Sequence, residues 1–450
     1  MRRHAFALAF ALAVPAATAA APEATTFVLE NGLKGVVIED RRAPVVTHMV
    51  WYRVGSADEP AGQSGIAHFL EHLMFKGTTT LGDGAFSRTV RDHGGSDNAF
   101  TSTDYTGYFQ RIAADRLALV MAMEADRMAN LDPSEAAVAS ERDVVLEERR
   151  QVVENSPSGP YNEARRAALF LNHPYGRPVI GWEHEIEGLT REMAMAFYRT
   201  HYAPNNAILI VAGDVDAAEV ERLAREHYGP IPASTAIPPR LRPQEPPHRA
   251  ARRVEMRDPR VREPSVGRTY LAEPRRTGDQ GRAAALAVLA DVLGGSSVTS
   301  VLARELLVEG DVAIDAGAFF SDTGLDATTF GVYATPRPGV SLAEAEAALD
   351  AVLSRMIVDG PDPDHVERIK ARLRAAEVYA LDDQGRRARR YGVALTSGLT
   401  VQDVADWPEA LAAVTPADVQ AAAAAVFAPE RSVTGWLMPS EEGPAAGLGQ

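Results

Sequence analysis

Residues 65 to 77 run GIAHFLEHLMFKG. Residues three and four apart share one face of a helix, so His68, Glu71 and His72 form a single polar stripe. Ile66, Phe69, Leu70 and Leu73 take the opposite face and turn toward a core. Ser64 is the expected N-cap and Gly77 the expected stop. Two imidazoles at i and i+4 offer a divalent ion two ligands from one rigid element, and a third must come from elsewhere. The carboxylate beside the second imidazole points toward the coordination position left open to solvent, where it can take a proton from water.

With 11 His and 61 acidic residues in the chain, a His-x-x-acid-His pattern arises by chance about 0.04 times per chain. Incidental histidines on a solvated helix face therefore explain it poorly, and the inverted order His-x-x-Glu-His is among those used by zinc peptidases. A third ligand can be sought by helical phase. The segment from Pro133 to Asn155 is expected to be one helix, in which Val138, Val145 and Val152 recur every seven residues as a buried stripe. Glu141 and Glu148, also seven apart, fall inside that stripe. A carboxylate among valines costs several kcal/mol unless a cation or hydrogen bonds compensate it. Glu148 is the expected ligand, and Glu141 is expected to orient a ligand or the nearby base. A buried Arg partner for the pair is the alternative. Glu147 falls on the polar side with Asp143 and Arg150, and Glu154 sits near a frayed end; both are expected to be surface charges.

At 450 residues the chain exceeds one typical core, and two or more domains are expected. A net charge of −15 argues against nucleic acid or an anionic membrane as the main partner. The opening MRRHAFALAFALAVPAATAA has two arginines, an apolar run from Ala5 to Val14 and small residues after it. This is the layout of a signal peptide over residues 1–20, cut near Ala19 to Ala21. The run is too short to span a bilayer. The chain has no cysteine, so any metal must be held by His and carboxylate. Arginine and alanine far outnumber lysine. Together with the signal layout, this points to a periplasmic or secreted bacterial protein.

Between Gly229 and Arg253 the sequence is dense in proline and lacks apolar periodicity, as in an extended linker over the surface. The segments on either side repeat. LTREMAMAFYRTHYAPNNAILIVAGD from Leu189 aligns with VTPADVQAAAAAVFAPERSVTGWLMP from Val414. Thr190 matches Thr415, Tyr202 matches Phe427, Ala203 matches Ala428 and Pro204 matches Pro429, all at one offset. Each copy is a capped helix, a proline turn and an apolar strand. The expected layout is a first half over 24–230, a linker over 231–252, a second half over 253–440 and a tail over 441–450. Residues 47–56 and 106–112 are expected strands, and 115–130 an expected helix. The same offset from the histidine helix lands near LADVLGGSSVTS, residues 289–300, where the histidines and the glutamate are missing. The fold class is α/β (α+β), two homologous halves, each a mostly antiparallel sheet flanked by helices.

These motifs, with SDNAFTSTDYTGYF, ERDVVLEERRQV and HPYGRPVIG in that order, make the chain resemble the pitrilysin/insulinase family of zinc metallopeptidases. The likeness is to the branch of short subunits that includes mitochondrial processing peptidase β subunits. The resemblance implies one zinc ion held by His68, His72 and Glu148, with Glu71 as general base and Glu141 in support. It implies that an extended peptide adds to a sheet edge at DNAFTST, with Asn98 and Ala99 on the substrate backbone; a plain strand is the alternative. His93 and His173 are expected to be structural, and Gly294 with Gly295 a helix end. One departure stands out. Family members that act alone carry, in the second half, an Arg and a Tyr seven residues later that grip substrate. Leu307 and Ile314 occupy those places here, and Arg304 could substitute only if the alignment slips. A homologous partner subunit supplying that pair is therefore expected, a homodimer being the variant. The alternative is a non-catalytic scaffold or peptide-binding subunit of the same fold.

Overall fold

The structure is a computed structural model that describes residues 24–440. The signal-peptide segment and the expected tail lie outside those residues.

Among the described residues, eleven strands build two sheets. The first contains β1 (Thr25–Val28), β2 (Lys34–Glu39), β3 (Val45–Tyr52), β4 (Ser96–Thr101), β5 (Thr106–Ala113) and β6 (Ala207–Gly213) in the order β1-β2-β6-β3-β5-β4. The second contains β7 (Arg252–Asp258), β8 (Ser265–Ala272), β9 (Ala313–Phe320), β10 (Thr328–Pro336) and β11 (Ser432–Pro439) in the order β7-β11-β8-β10-β9. Apart from β1 the two orders correspond strand for strand. Each sheet has one parallel pair, β2 with β6 and β7 with β11, among antiparallel neighbours. The repeat seen in the sequence falls on the same elements in both halves. Thr190 and Thr415 cap the helices Arg191–His201 and Pro416–Val426, each followed by a short proline-led turn and then by β6 or β11.

Each sheet needs cover on both faces, and the halves supply it to one another. On β3, Val46, Val50 and Tyr52 enter the core of the first half, while Met49 and Trp51 point to the other face. That second face is closed by the helix Gln384–Thr396, which belongs to the second half in sequence and packs on β3 and β6. This is why β6, AILIVAG, is apolar throughout and buried at every residue. In return the helix Ser158–Leu169 of the first half packs on β7, β8 and β11, burying Leu169 and Tyr161 against Leu271, Val433 and Leu437.

Several expectations change on contact with the structure. The Pro133 helix spans Glu135–Arg149 and then widens into a π turn over Arg150–Glu154. The wider turn breaks the seven-residue phase, so Val138 and Val145 are buried but Val152 is 62% exposed. The proline-rich segment has no regular element between His227 and Arg252, yet it is not merely draped on the surface. Arg240 and Arg242 reach Asp58 at 2.6 and 3.0 Å, and Arg242 also meets Asp104 at 2.5 Å and Asp326 of the second half at 3.2 Å. His93 ends the helix Ala85–Asp92 with its Nδ1 on the Thr89 carbonyl. His173 lies 3.1 Å from Asp326 across the seam. Gly294 ends the helix Gly281–Gly294.

The helix exchange depends on a close approach. A Cβ on Gly392 would stand 2.0 Å from the ring of fully buried Trp51. Gly392→Ala should lower stability by about 1–3 kcal/mol through overpacking. Thermal unfolding followed by tryptophan fluorescence checks this.

Candidate metal centre

The histidine helix spans Ile66–Leu73. Its apolar face, Ile66, Phe69, Leu70 and Leu73, is fully buried, as its periodicity demands. Its start differs from expectation. Gly65 is the N-cap, with φ 88°, and the Ser64 hydroxyl makes no cap bond. It accepts instead from the Trp182 N–H at 2.9 Å. The free N–H groups at the helix start go to Glu59, whose carboxylate accepts from Gly65 at 3.0 Å and Ala67 at 3.0 Å. A side chain on Gly65 would strike the Ile180 carbonyl at 2.5 Å, so both φ and space require glycine there. The helix ends at Leu73, well before Gly77, whose φ of 106° belongs to the following turn.

His68, His72 and Glu148 converge. The Glu148 Oε2 lies 3.3 Å from His72 Nε2 and 3.7 Å from His68 Nε2, and one donor atom from each of the three falls within 4.8 Å of the others. Nitrogen and oxygen ligands at about 2.0–2.1 Å around a tetrahedral zinc stand roughly 3.3 Å apart, so the donor set and its spacing fit that ion. The π turn that displaced Val152 begins just after Glu148, which still lies on the regular helix.

Glu141 does not reach this cluster directly. Its Oε1 meets His72 Nδ1 at 2.8 Å and its Oε2 meets Lys76 Nζ at 2.5 Å. This carboxylate fixes which His72 nitrogen faces the ligand position. Lys76 had not been singled out in the sequence, although it stands four residues after His72 on the same stripe. Glu71 carries its Oε2 2.6 Å from the Thr101 hydroxyl on β4, which ties the helix to the sheet edge. Asn98 and Ala99 lie on that edge strand, Asn98 exposed and Ala99 half-buried, with the Ala99 N–H donating to Asn98 Oδ1 at 2.8 Å. Leu307 falls in the turn Ala303–Glu309, and Ile314 is an exposed residue of β9. Arg304 is occupied with Glu305 and Glu309.

Electrostatics separate the two imidazoles. Burial, with His72 nearby, pushes His68 down to about 4, only partly offset by Glu148. Its Nδ1 is buried with no partner. Burial also acts to lower His72, but hydrogen bonds to Glu141 and Glu148 outweigh it and raise the pKa to about 9. Burial raises Glu71 against the pull of the Thr101 hydrogen bond. Glu148 is lowered, chiefly by its bond to His72.

Residues 35–183 match the family model for insulinase (peptidase family M16), and residues 188–373 match that for the peptidase M16 inactive domain. The chain belongs to this family. An uncharacterised zinc protease of Streptomyces coelicolor is 31% identical over 91% of this chain and 89% of its own length. A probable mitochondrial-processing peptidase subunit beta of Arabidopsis thaliana is 27% identical over 83% of this chain and 71% of its own. The crystal structure of a protease from Helicobacter pylori superposes with a TM-score of 0.87 at 28% identity, covering 93% of this chain and all of that one. The family match and the relatives named zinc proteases place the chain among zinc-protease-like proteins, with residues 188–373 matching the family's inactive-domain model.

In the metal-free chain, His72 holds its proton more tightly folded than unfolded. Its contribution to stability is thus complete below about pH 6.5 and is lost as the pH rises through about 9. Melting temperatures in chelator at these two pH values should fall by more in the wild type than in His72→Asn.

Proposed function

We propose that this chain is a zinc-dependent endopeptidase acting on unfolded peptides, with one zinc ion held by His68, His72 and Glu148. The observation that carries the reading is the convergence of these three donors on a single point beside a fourth side chain, Glu71, whose carboxylate is held at the sheet edge. Zinc bound there would polarise the substrate carbonyl and make water a better nucleophile near neutral pH. Glu71 takes the proton from the attacking water and delivers it to the departing amine. Glu141, anchored by Lys76, holds His72 in the tautomer that leaves Nε2 for the metal. Strand β4, with no further strand on its outer edge among the described residues, receives the peptide by backbone pairing. Asn98 and Ala99 contact the substrate backbone, and the Ala99 N–H exchanges its Asn98 partner for the peptide. Elemental analysis should find one zinc per chain. Glu71→Gln should keep the zinc and lose about 1,000-fold or more in turnover; wild-type turnover in that variant would remove Glu71 from its role.

The chain is further proposed to work with a homologous subunit. Leu307 and Ile314 carry no polar group to grip a peptide, and the Arabidopsis relative is by name a subunit. Size-exclusion chromatography and peptide assays should show weak cleavage by the chain alone and at least tenfold more with its partner. Full activity of the isolated chain would sink this reading. The signal-like layout of residues 1–20 supports export to the periplasm or beyond. The match of residues 188–373 to an inactive-domain model keeps a second reading in play, a peptide-binding scaffold; it predicts that wild type and Glu71→Gln bind peptides alike and that neither cleaves.

A further inference from the structure

Where the two halves face each other, a cavity of about 570 Å3 opens between the helix Ser158–Leu169 and the second sheet. One wall is Arg165 and Arg166; the opposite wall is second-half hydroxyls such as Thr269 and Thr329, with Phe319 beside them. Among the described residues, no Asp, Glu or Lys lines it. In a chain with 61 acidic and 46 basic residues, most arginines of the described residues find a carboxylate. These two do not. Arg165 donates to the Tyr161 hydroxyl at 3.3 Å and to the Thr269 hydroxyl at 3.1 Å, and its guanidinium lies over the Tyr161 ring. Arg166 donates Nε–H to the Tyr175 carbonyl. Both are thus aimed by neutral partners that leave further N–H groups free.

The surroundings raise the value of an anion there. Arg166 is solvent-accessible, yet the protein packed around it holds its pKa below the usual arginine value by desolvation. A side chain projecting into a recess, with protein on all sides and an open centre, produces both. A partly dehydrated guanidinium without a counter-charge is a costly arrangement. Its planar fork matches a carboxylate held through two parallel hydrogen bonds.

The cavity is continuous with the peptide edge. Ser102 and Thr103, the two residues after β4, form part of its lining, and Thr101 just before them holds Glu71. A strand advances about 3.3 Å per residue, so the cavity opens within about 7 Å of chain from Thr101. A peptide lying along β4 with its reacting carbonyl near Glu71 would bring a side chain, or its own end, into this space roughly two to four residues away.

We propose that this cavity is a carboxylate subsite of the peptide cleft, where Arg165 and Arg166 together receive an acidic side chain or the free C-terminus of the substrate. The proposal rests on the peptidase reading above for the path of the peptide, and it assigns a substrate preference to residues outside the metal centre.

The test uses the zinc-loaded chain and matched peptides. One set carries Glu or Gln at successive positions around the cut bond; another ends in a free acid or an amide. The wild type should favour Glu over Gln by about tenfold in kcat/KM at one position, or the free acid over the amide by a similar factor, according to which carboxylate enters. Arg165→Gln and Arg166→Gln should each bring that ratio to within about twofold of unity, and Arg165→Lys should restore part of it. The ratio is taken within each variant, so a smaller folded fraction cancels. The same peptides are also titrated against zinc-loaded Glu71→Gln by fluorescence anisotropy. Absence of hydrolysis with a preserved binding preference would overturn the peptidase reading and support the subsite. Equal binding of acidic and neutral peptides, or a preference that survives both glutamine substitutions, would overturn the subsite.

Discussion

Two carboxylates and two cations must neutralise one another at the mouth of the first half, and much of the architecture follows from that requirement. Glu141 is nearly buried between His72 and Lys76, and Glu148 stands against both imidazoles. Removing His72 or Lys76 would leave the nearly buried Glu141 carboxylate short of a counter-charge. Without metal, the proton on His72 balances the second carboxylate, which is the physical content of its raised pKa. A dication entering the same space must displace that proton, because Nε2 cannot hold both. Exchanging that one proton for a dication therefore raises the net charge of the four-residue group by one unit.

The backbone around the cluster has the same logic. Glu59 satisfies the N–H groups at the start of the histidine helix, and Gly65 allows the chain to turn into it beneath the Ile180 carbonyl. Thr101 ties Glu71 to the strand at the open edge. The histidine helix is thus tied to Glu59 at its start and to β4 through Glu71, by hydrogen bonds between different segments of the first half. Second-half residues reach the cleft from across the seam, where the linker arginines Arg240 and Arg242 pin it through Asp58, Asp104 and Asp326.

What could be read in the amino-acid sequence was what depends on local spacing. His68, Glu71 and His72 were visible because one helix carries all three, and the repeat was visible because each copy keeps its cap, proline turn and strand in register. Glu148 emerged from helical phase because the regular helix extends as far as Arg149; Val152, assigned by the same phase, failed because the turn widens immediately afterward. Glu59 gave no signal, since its partners are backbone groups and any residue type could have supplied them. Ser64 looked like a cap by type, but the local backbone sends its hydroxyl to Trp182. Arg165 and Arg166 carry no local signal in the sequence. Their isolation from carboxylates is set by strands more than 90 residues away, and nothing local records it.

The crossed helices have a consequence for how the molecule comes into being. The face of the first sheet bearing Met49 and Trp51 has no cover until the chain has been synthesised to Thr396. Long-range closure of this kind delays folding relative to synthesis, so a nascent chain keeps a sticky, unfinished surface for most of its emergence from the ribosome. The two halves therefore close on one another only late, once the helix Gln384–Thr396 can dock on β3 and β6.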